Sequence, residues 1–272
     1  MRGISRLAFV AALMAGPVGA ETVKLTLLGV GDVYNFEEED GRGGFARLNA
    51  VAKAERAANP NTLYLFNGDM LSPSLASGFD KGQNTIDFTN LVPFDLAVPG
   101  NHEFDFGPEN FFEKMTASKY PWAAINITKD DGSAIEGLGG VMMKVVGGLK
   151  VALIPVAQDT SPEVSSTGSL KFLPTVETGV AAAEKAREDG ADIVVGVVQT
   201  NMENDRALMA SGAFDVILSG DDHSYATAYD GRTAYVETSI DGQFLSPVDL
   251  MVEVTVADDG KREISWVPAF RF

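Results

Sequence analysis

Apolar residues fall along this chain in short blocks, and most blocks are closed by a small polar cluster. Residues 22–30 alternate and then run apolar, as a first strand does, and Gly31-Asp32-Val33-Tyr34-Asn35 closes them. Residues 45–58 instead repeat at helical spacing (Phe45, Leu48, Val51, Ala52) and stop at Asn59-Pro60. A second strand over 62–66 is closed by Asn67-Gly68-Asp69. A helix over 85–91 leads to a third strand, 94–98. That strand ends in Pro99-Gly100-Asn101-His102-Glu103-Phe104-Asp105-Phe106-Gly107, and a helix is predicted over 108–117. Then come a strand at 122–127 and a hairpin of 141–146 with 150–156, turned at Gly147-Gly148. An amphipathic helix over 176–188 and a buried strand over 192–198 follow, the strand closed by Gln199-Thr200-Asn201. Residues 205–210 are helical, and a strand at 214–218 is closed by Ser219-Gly220-Asp221-Asp222-His223. The tail reads as strands at 232–237, 246–256 and 263–267.

Strands alternating with helices and then a β-rich end predict one α/β domain. No repeat, linker or composition shift divides it. The glycine-rich stretches near 41–44 and 137–148 read as loops, since neither opens a helix after a strand. Residues 1–20 read as a secretory signal: Arg2 and Arg6, an apolar core at 7–15 too short to span a bilayer, and Val18-Gly19-Ala20 as cleavage site. The mature domain is then 21–272, placed in the periplasm or outside the cell. The 272 residues contain no Cys, which removes thiolate ligands, Cys nucleophiles, disulfides and a lipoprotein anchor. No membrane anchor is expected. A net charge of −17 repels nucleic acid and anionic membranes.

Strand ends that carry Asp32, Asp69, Asn101-His102, Asn201 and Asp221-Asp222-His223 converge if their strands are parallel. Converging carboxylates repel one another unless a cation lies between them. Oxygen and imidazole donors suit Mn, Mg, Ca, Zn or Fe, and a carboxylate flanked by two ligand sets suits two metals clamping a phosphoryl transfer.

Gly44-Phe45-Ala46-Arg47-Leu48, Asn59-Pro60-Asn61-Thr62-Leu63, Gly68-Asp69 and the stretch from Gly100 to Gly107 together resemble the calcineurin-like metallophosphoesterases, in their 5′-nucleotidase branch. The resemblance runs from Val23 to about Val256. It implies a four-layer αββα sandwich and an exported hydrolase of phosphomonoesters or phosphodiesters, with a metal-bound hydroxide as nucleophile and a small phosphorylated substrate. It makes Asp32 a ligand of a first metal, Asp69 the bridging carboxylate and Asn101 a ligand of a second. His223 matches the end of the Gly-His-x-His motif and returns to the first metal. His102 with Asp105 matches the catalytic dyad.

Three family histidines are replaced. Asp-x-His is Asp32-Val33-Tyr34, Thr-His is Thr200-Asn201, and Gly-His-x-His is Gly220-Asp221-Asp222-His223. With only two His in the chain, no displaced histidine can substitute. Asn201 and Asp221 are oxygen donors, so two divalent ions of the harder kind (Mn, Mg, Ca or Fe rather than Zn) are expected. Tyr34 is either a phenolate ligand or a rim tyrosine. Asp222 and residues 37–40 are either spare carboxylates or solvated loop. The alternative function is a degenerate family member that binds a metal or phosphorylated ligand without turnover. The nucleoside-gripping C-terminal domain of the branch has no counterpart in these residues, which counts against a nucleotide substrate.

Overall fold

The continuous apolar strands are buried on both faces, and their alternate residues feed two different cores. In the computed structural model, which describes residues 21–257 and 261–271, this sets the layering. The expected leader at 1–20, with cleavage after Ala20, lies outside the described residues.

The first part of the chain runs β1 (Glu21–Val30), α1 (Phe45–Ala58), β2 (Thr62–Phe66), α2 (Ser77–Asp80), α3 (Gln83–Thr89), β3 (Leu96–Ala97), a 3-10 turn (Asn101–Glu103), α4 (Pro108–Ala117) and β4 (Ile127–Thr128). The middle runs β5 (Met142–Val146), β6 (Leu149–Val156), α5 (Ser161–Val164), β7 (Lys171–Phe172), α6 (Thr175–Glu188), β8 (Ile193–Gln199) and α7 (Met202–Ser211). The chain closes with β9 (Val216–Gly220), β10 (Tyr225–Tyr229), β11 (Ala234–Thr238), β12 (Val248–Val256) and β13 (Arg262–Phe270).

One sheet has the order β13-β12-β1-β2-β3 and the other β10-β11-β9-β8-β6-β5. Val23, Leu25 and Leu27 of β1 face Val151, Leu153, Val195, Val197 and Leu218 of the opposite sheet, forming the inner core. The intervening residues face outward. Leu28, Tyr64 and Phe66 pack on α1, α3 and α4 through Phe45, Leu48, Ile86 and Phe111. Ile154, Val194 and Ile217 pack on α6 and α7 through Ala183, Ala186 and Leu208. Helix, sheet, sheet, helix is the expected four-layer αββα sandwich. Each fully buried Leu contributes about 2 kcal/mol to holding it together.

Several elements differ from expectation. The strand at 122–127 reduces to bridges of Trp122 with Ala97 and Ala123 with Gly139, plus the two-residue β4 paired with β7. Its neighbour β3 is itself only two residues, flanked by Pro93 and Pro99, which carry no ladder N–H. α7 begins at Met202 rather than 205, because Asn201 caps it: its Oδ1 accepts the Asn204 N–H at 3.0 Å. The short α2, α5, β7 and β10 have no counterpart among the expected elements.

β1, β2 and β3 are parallel, as are β6, β8, β9 and β11. The loops after β1, β2, β3, β8 and β9 therefore leave the same edge of the sandwich. The Asn67 side-chain amide donates across to the Leu218 carbonyl and ties the two sheets together at that edge.

Candidate active site

Asp32 and Asp69 end their strands in left-handed backbone, with φ of 54° and 67°. Asp221 and His223 also hold positive φ, 105° and 55°. Such conformations cost non-glycine residues free energy and concentrate at functional sites. The first two are held by neighbours: Asp32 N–H donates to the Gly68 carbonyl at 2.9 Å and Val33 N–H to the Asp69 carbonyl at 2.8 Å. Both side chains are buried.

Each oxygen of these two carboxylates has a donor. Asp32 Oδ1 accepts from the Tyr34 hydroxyl at 3.2 Å and the Gln199 side-chain amide at 3.3 Å. Asp32 Oδ2 accepts the Asp221 N–H at 3.1 Å. Asp69 Oδ1 accepts the His102 N–H at 2.8 Å, and Asp69 Oδ2 the Gln199 amide at 2.7 Å. Among the described residues no Lys or Arg hydrogen bond or ion pair reaches either carboxylate; the nearest cationic candidate is His223, its Nε2 3.6 Å from Asp32 Oδ1. Burial pushes Asp32 up to about 7, against the pull of the Asp221, Gln199 and Tyr34 hydrogen bonds. Burial, then the charges of Glu103 and Asp32, hold Asp69 well above the carboxylate range. Asp221 is pushed up to about 6 by burial and by Asp222.

The loop after β3 is organised by a residue the sequence reading left without a role. Glu103 is fully buried, and its two oxygens accept the backbone N–H groups of Asp69, Gly100, Met70 and Leu71 at 2.8, 2.6, 2.7 and 3.2 Å. This locks the Asp69 loop to the His102 loop. Beside it, His102 Nδ1 lies 2.6 Å from Asp105 Oδ2, which leaves Nε2 as the free ring nitrogen. The Ser72 hydroxyl donates to the same Asp105 oxygen at 2.6 Å. Burial works to lower the His102 pKa, but the hydrogen bond and charge of Asp105 outweigh it and the net shift is upward. Burial acts the other way on Asp105, and the His102 and Ser72 hydrogen bonds bring it below the usual range.

Of the residues singled out in the sequence, Asp32, Tyr34, Asp69, His102, Asp105, Asp221 and His223 meet here. Tyr34 is buried, with its hydroxyl 3.2 Å from both Asp32 Oδ1 and His223 Nε2. Burial and the charges of Asp69 and Asp32 raise its pKa. His223 sits on an exposed loop, and burial together with the charge of His102 lowers its pKa. Asn101 is nearly buried; its carbonyl accepts the Ser165 hydroxyl at 2.5 Å, while its side chain makes no hydrogen bond among the described residues. Asn201 caps α7, its oxygen accepting the Asn204 N–H and so using one of its two lone pairs. Asp222 and residues 37–40 are exposed. Glu37, Glu38 and Glu39 line a cleft of about 610 Å³ with Tyr34, Phe36 and Phe79.

Gln199 and Asp241 were also missed. Asp241 Oδ1 accepts the Tyr34 and Asn35 N–H groups, both at 2.8 Å, and so shapes the loop after β1. The available signal for Gln199 was a polar residue ending an apolar strand at the converging edge.

The donor chemistry fits a hard cation. Among the described residues the two buried carboxylates have no Lys or Arg partner, Asp221, Asn101 and His223 stand on the adjoining loops, and the buried Gln199 Oε1 has no hydrogen-bond partner. Yet among the described residues no three His, Asp or Glu side chains close around one point as they stand.

The sequence profile of the calcineurin-like phosphoesterases matches residues 25–225. An apyrase from Tabanus yao is 30% identical over 189 residues, covering 67% of this chain and 34% of that protein. The 5′-nucleotidase of Mus musculus is 25% identical over 272 residues, covering 93% of this chain and 45% of that one. This chain thus spans less than half the length of either relative. The crystal structure of the calcineurin-like phosphoesterase YfkN from Bacillus subtilis superposes with a TM-score of 0.73 at 20% identity, covering 92% of this chain and 91% of that one, and so shares the fold. A family profile over most of the chain, on a four-layer αββα sandwich shared with a solved structure of the family, makes this protein a member of the calcineurin-like phosphoesterase family.

Proposed function

We propose that this chain is an exported, cation-dependent hydrolase of small phosphoesters. The observation that carries the proposal is the pairing of the His102–Asp105 dyad with the buried Asp32–Asp69 carboxylates at one sheet edge. Among the described residues no Lys or Arg stands beside Asp32, Asp69 and Asp221, so a phosphate group facing them would be repelled unless a bound cation offset their charge. Asp32, Asp69 and His223 would hold one cation, with Asn101 and Asp221 alongside. A cation there would supply Lewis acidity and offset charge developing on the phosphoryl group. A dinuclear centre would also draw on Asn201, whose oxygen keeps one lone pair beyond the α7 cap. His102 would carry a proton on the ring nitrogen that Asp105 does not engage and deliver it to the leaving oxygen; Asp105 fixes the ring's orientation and favours its charged form. Export rests on the leader read at residues 1–20.

The test is hydrolysis of a phosphomonoester and phosphodiester panel, AMP and ATP included, with Mn²⁺, Mg²⁺ or Ca²⁺. Cation-dependent turnover that is lost in Asp69→Asn and His102→Ala is the expected result; turnover unchanged in both variants would put the chemistry elsewhere. One observation favours the second reading, a degenerate member that binds a cation or phosphorylated ligand without turnover: Gln199 and Tyr34 already satisfy the carboxylates. Cation binding with no turnover across the panel would select it.

A further inference from the structure

We infer that Gln199 is a built-in competitor for the cation: its side-chain amide closes the Asp32–Asp69 pair and must be displaced before a cation enters. The inference rests on the cation-dependent reading above and concerns how that site is filled.

Gln199 ends β8 and is fully buried. Its Nε2 lies 2.7 Å from Asp69 Oδ2 and 3.3 Å from Asp32 Oδ1. A cation shared by those two oxygens would lie roughly 2.0–2.6 Å from each. The amide hydrogens and the cation therefore claim one place, and both carry positive charge toward the same oxygens. They cannot coexist there.

The side chain is also given a fitted slot. A Cβ on Gly68 or on Gly220 would come within 2.6 Å of Gln199 Oε1, and one on Gly100 within 2.8 Å of its Cγ. Gly68 needs glycine for its backbone as well, at φ 94°, but Gly100 and Gly220 do not have positive φ. At those two, glycine leaves space for Gln199 and for the carboxylates, since the same Cβ atoms would meet Asp69 Oδ1 at 2.2 Å and Asp32 Oδ2 at 2.7 Å. Loops from both sheets thus make room for one amide.

The amide is a stopper that can be removed. Its Oε1 has no partner among the described residues, so the side chain is held only through its nitrogen. An amide donates hydrogen bonds but brings no net charge, so the two carboxylates remain under-compensated. A divalent cation gains what the amide cannot supply, at the expense of those two hydrogen bonds. The site is expected to bind cations reversibly and weakly rather than to hold one through purification.

The test is calorimetric titration of the full chain with MnCl₂, alongside Gln199→Met and Gln199→Ala. Met keeps the volume and removes the N–H donors, so it answers for a cavity-induced loss of fold in Ala; circular dichroism checks both. The expected result is at least tenfold tighter Mn²⁺ binding in Gln199→Met than in the wild-type protein. Wild-type affinity that is unchanged or stronger than that of both variants overturns the inference, making Gln199 a bystander or an oxygen ligand, and leaves the cation site standing. Absence of Mn²⁺ binding in every form overturns the inference together with the reading it rests on.

Discussion

The site is built from two halves that differ in how they are held. The half from the β1–β2–β3 sheet carries Asp32, Asp69, Asn101, His102 and Asp105, and it is laced by backbone hydrogen bonds onto Glu103 and between the two loops. The half from the β8–β9 sheet carries Gln199, Asn201, Asp221 and His223. Its loops are held less tightly, with Asp222 and His223 exposed. All but one of the replaced family histidines fall in this second half. Where side chains are spent on the backbone of neighbouring loops, a change of residue disrupts the fold around it. Where they project from loops, ligands can change while the sandwich stays intact.

The largest expected effect is on the first half. Glu103→Ala leaves four buried N–H groups without an acceptor and should cost about 3–5 kcal/mol by urea unfolding. A loss under about 1 kcal/mol would mean the loops are not held as described.

Next comes the pH response of the layer behind the second half. The Tyr235 hydroxyl lies 2.8 Å from Asp205 Oδ2 and 2.9 Å from Glu237 Oε2, and a single hydroxyl proton cannot serve two charged carboxylates. Burial pushes Asp205 up to about 7 and Glu237 up to about 9, the latter helped by Asp205. Unfolded, both would titrate near 4. Their folded pKa values are raised, so the stabilisation is complete below about pH 4 and is lost as pH rises towards the folded values. Stability from these groups should fall by a few kcal/mol between about pH 5 and 9. Glu237→Gln should flatten that slope in thermal or urea unfolding at several pH values; an equally steep slope would place the titrating group elsewhere.

Asn201→Ala should cost about 1 kcal/mol by loss of the α7 cap and leave Mn²⁺ affinity unchanged. A fall in affinity instead would make Asn201 a ligand as well as a cap. Smallest of all, Asp222→Asn should change stability by less than about 0.5 kcal/mol; a larger change would show the second half to be as tightly held as the first.

The layering was legible because strands buried on both faces write continuous apolar runs, and the strand-closing clusters marked the converging edge. β3 and the region after it were harder to read, since prolines cut the pairing that the apolar run at 94–98 suggests. Tyr34, Asp69 and His102 could be placed from position alone. Asn201 could not, because an Asn at a strand end serves equally as a helix cap and as a ligand, and sequence spacing does not separate the two. Gln199 was hidden for a different reason. Its role depends on the length of its side chain reaching across two loops, which neither periodicity nor motif spacing records.

The four amides gathered by Glu103 also decide which parts of the molecule can move. The loops bearing Asp69 and His102 share one buried anchor, Glu103. Hydrogen exchange at Met70, Leu71 and Gly100 should accordingly be among the slowest outside the strands. The side chain that must give way to admit a guest then belongs to the opposite sheet, where Gln199 bridges Asp32 and Asp69, so that admission and release are properties of the side whose chemistry has diverged.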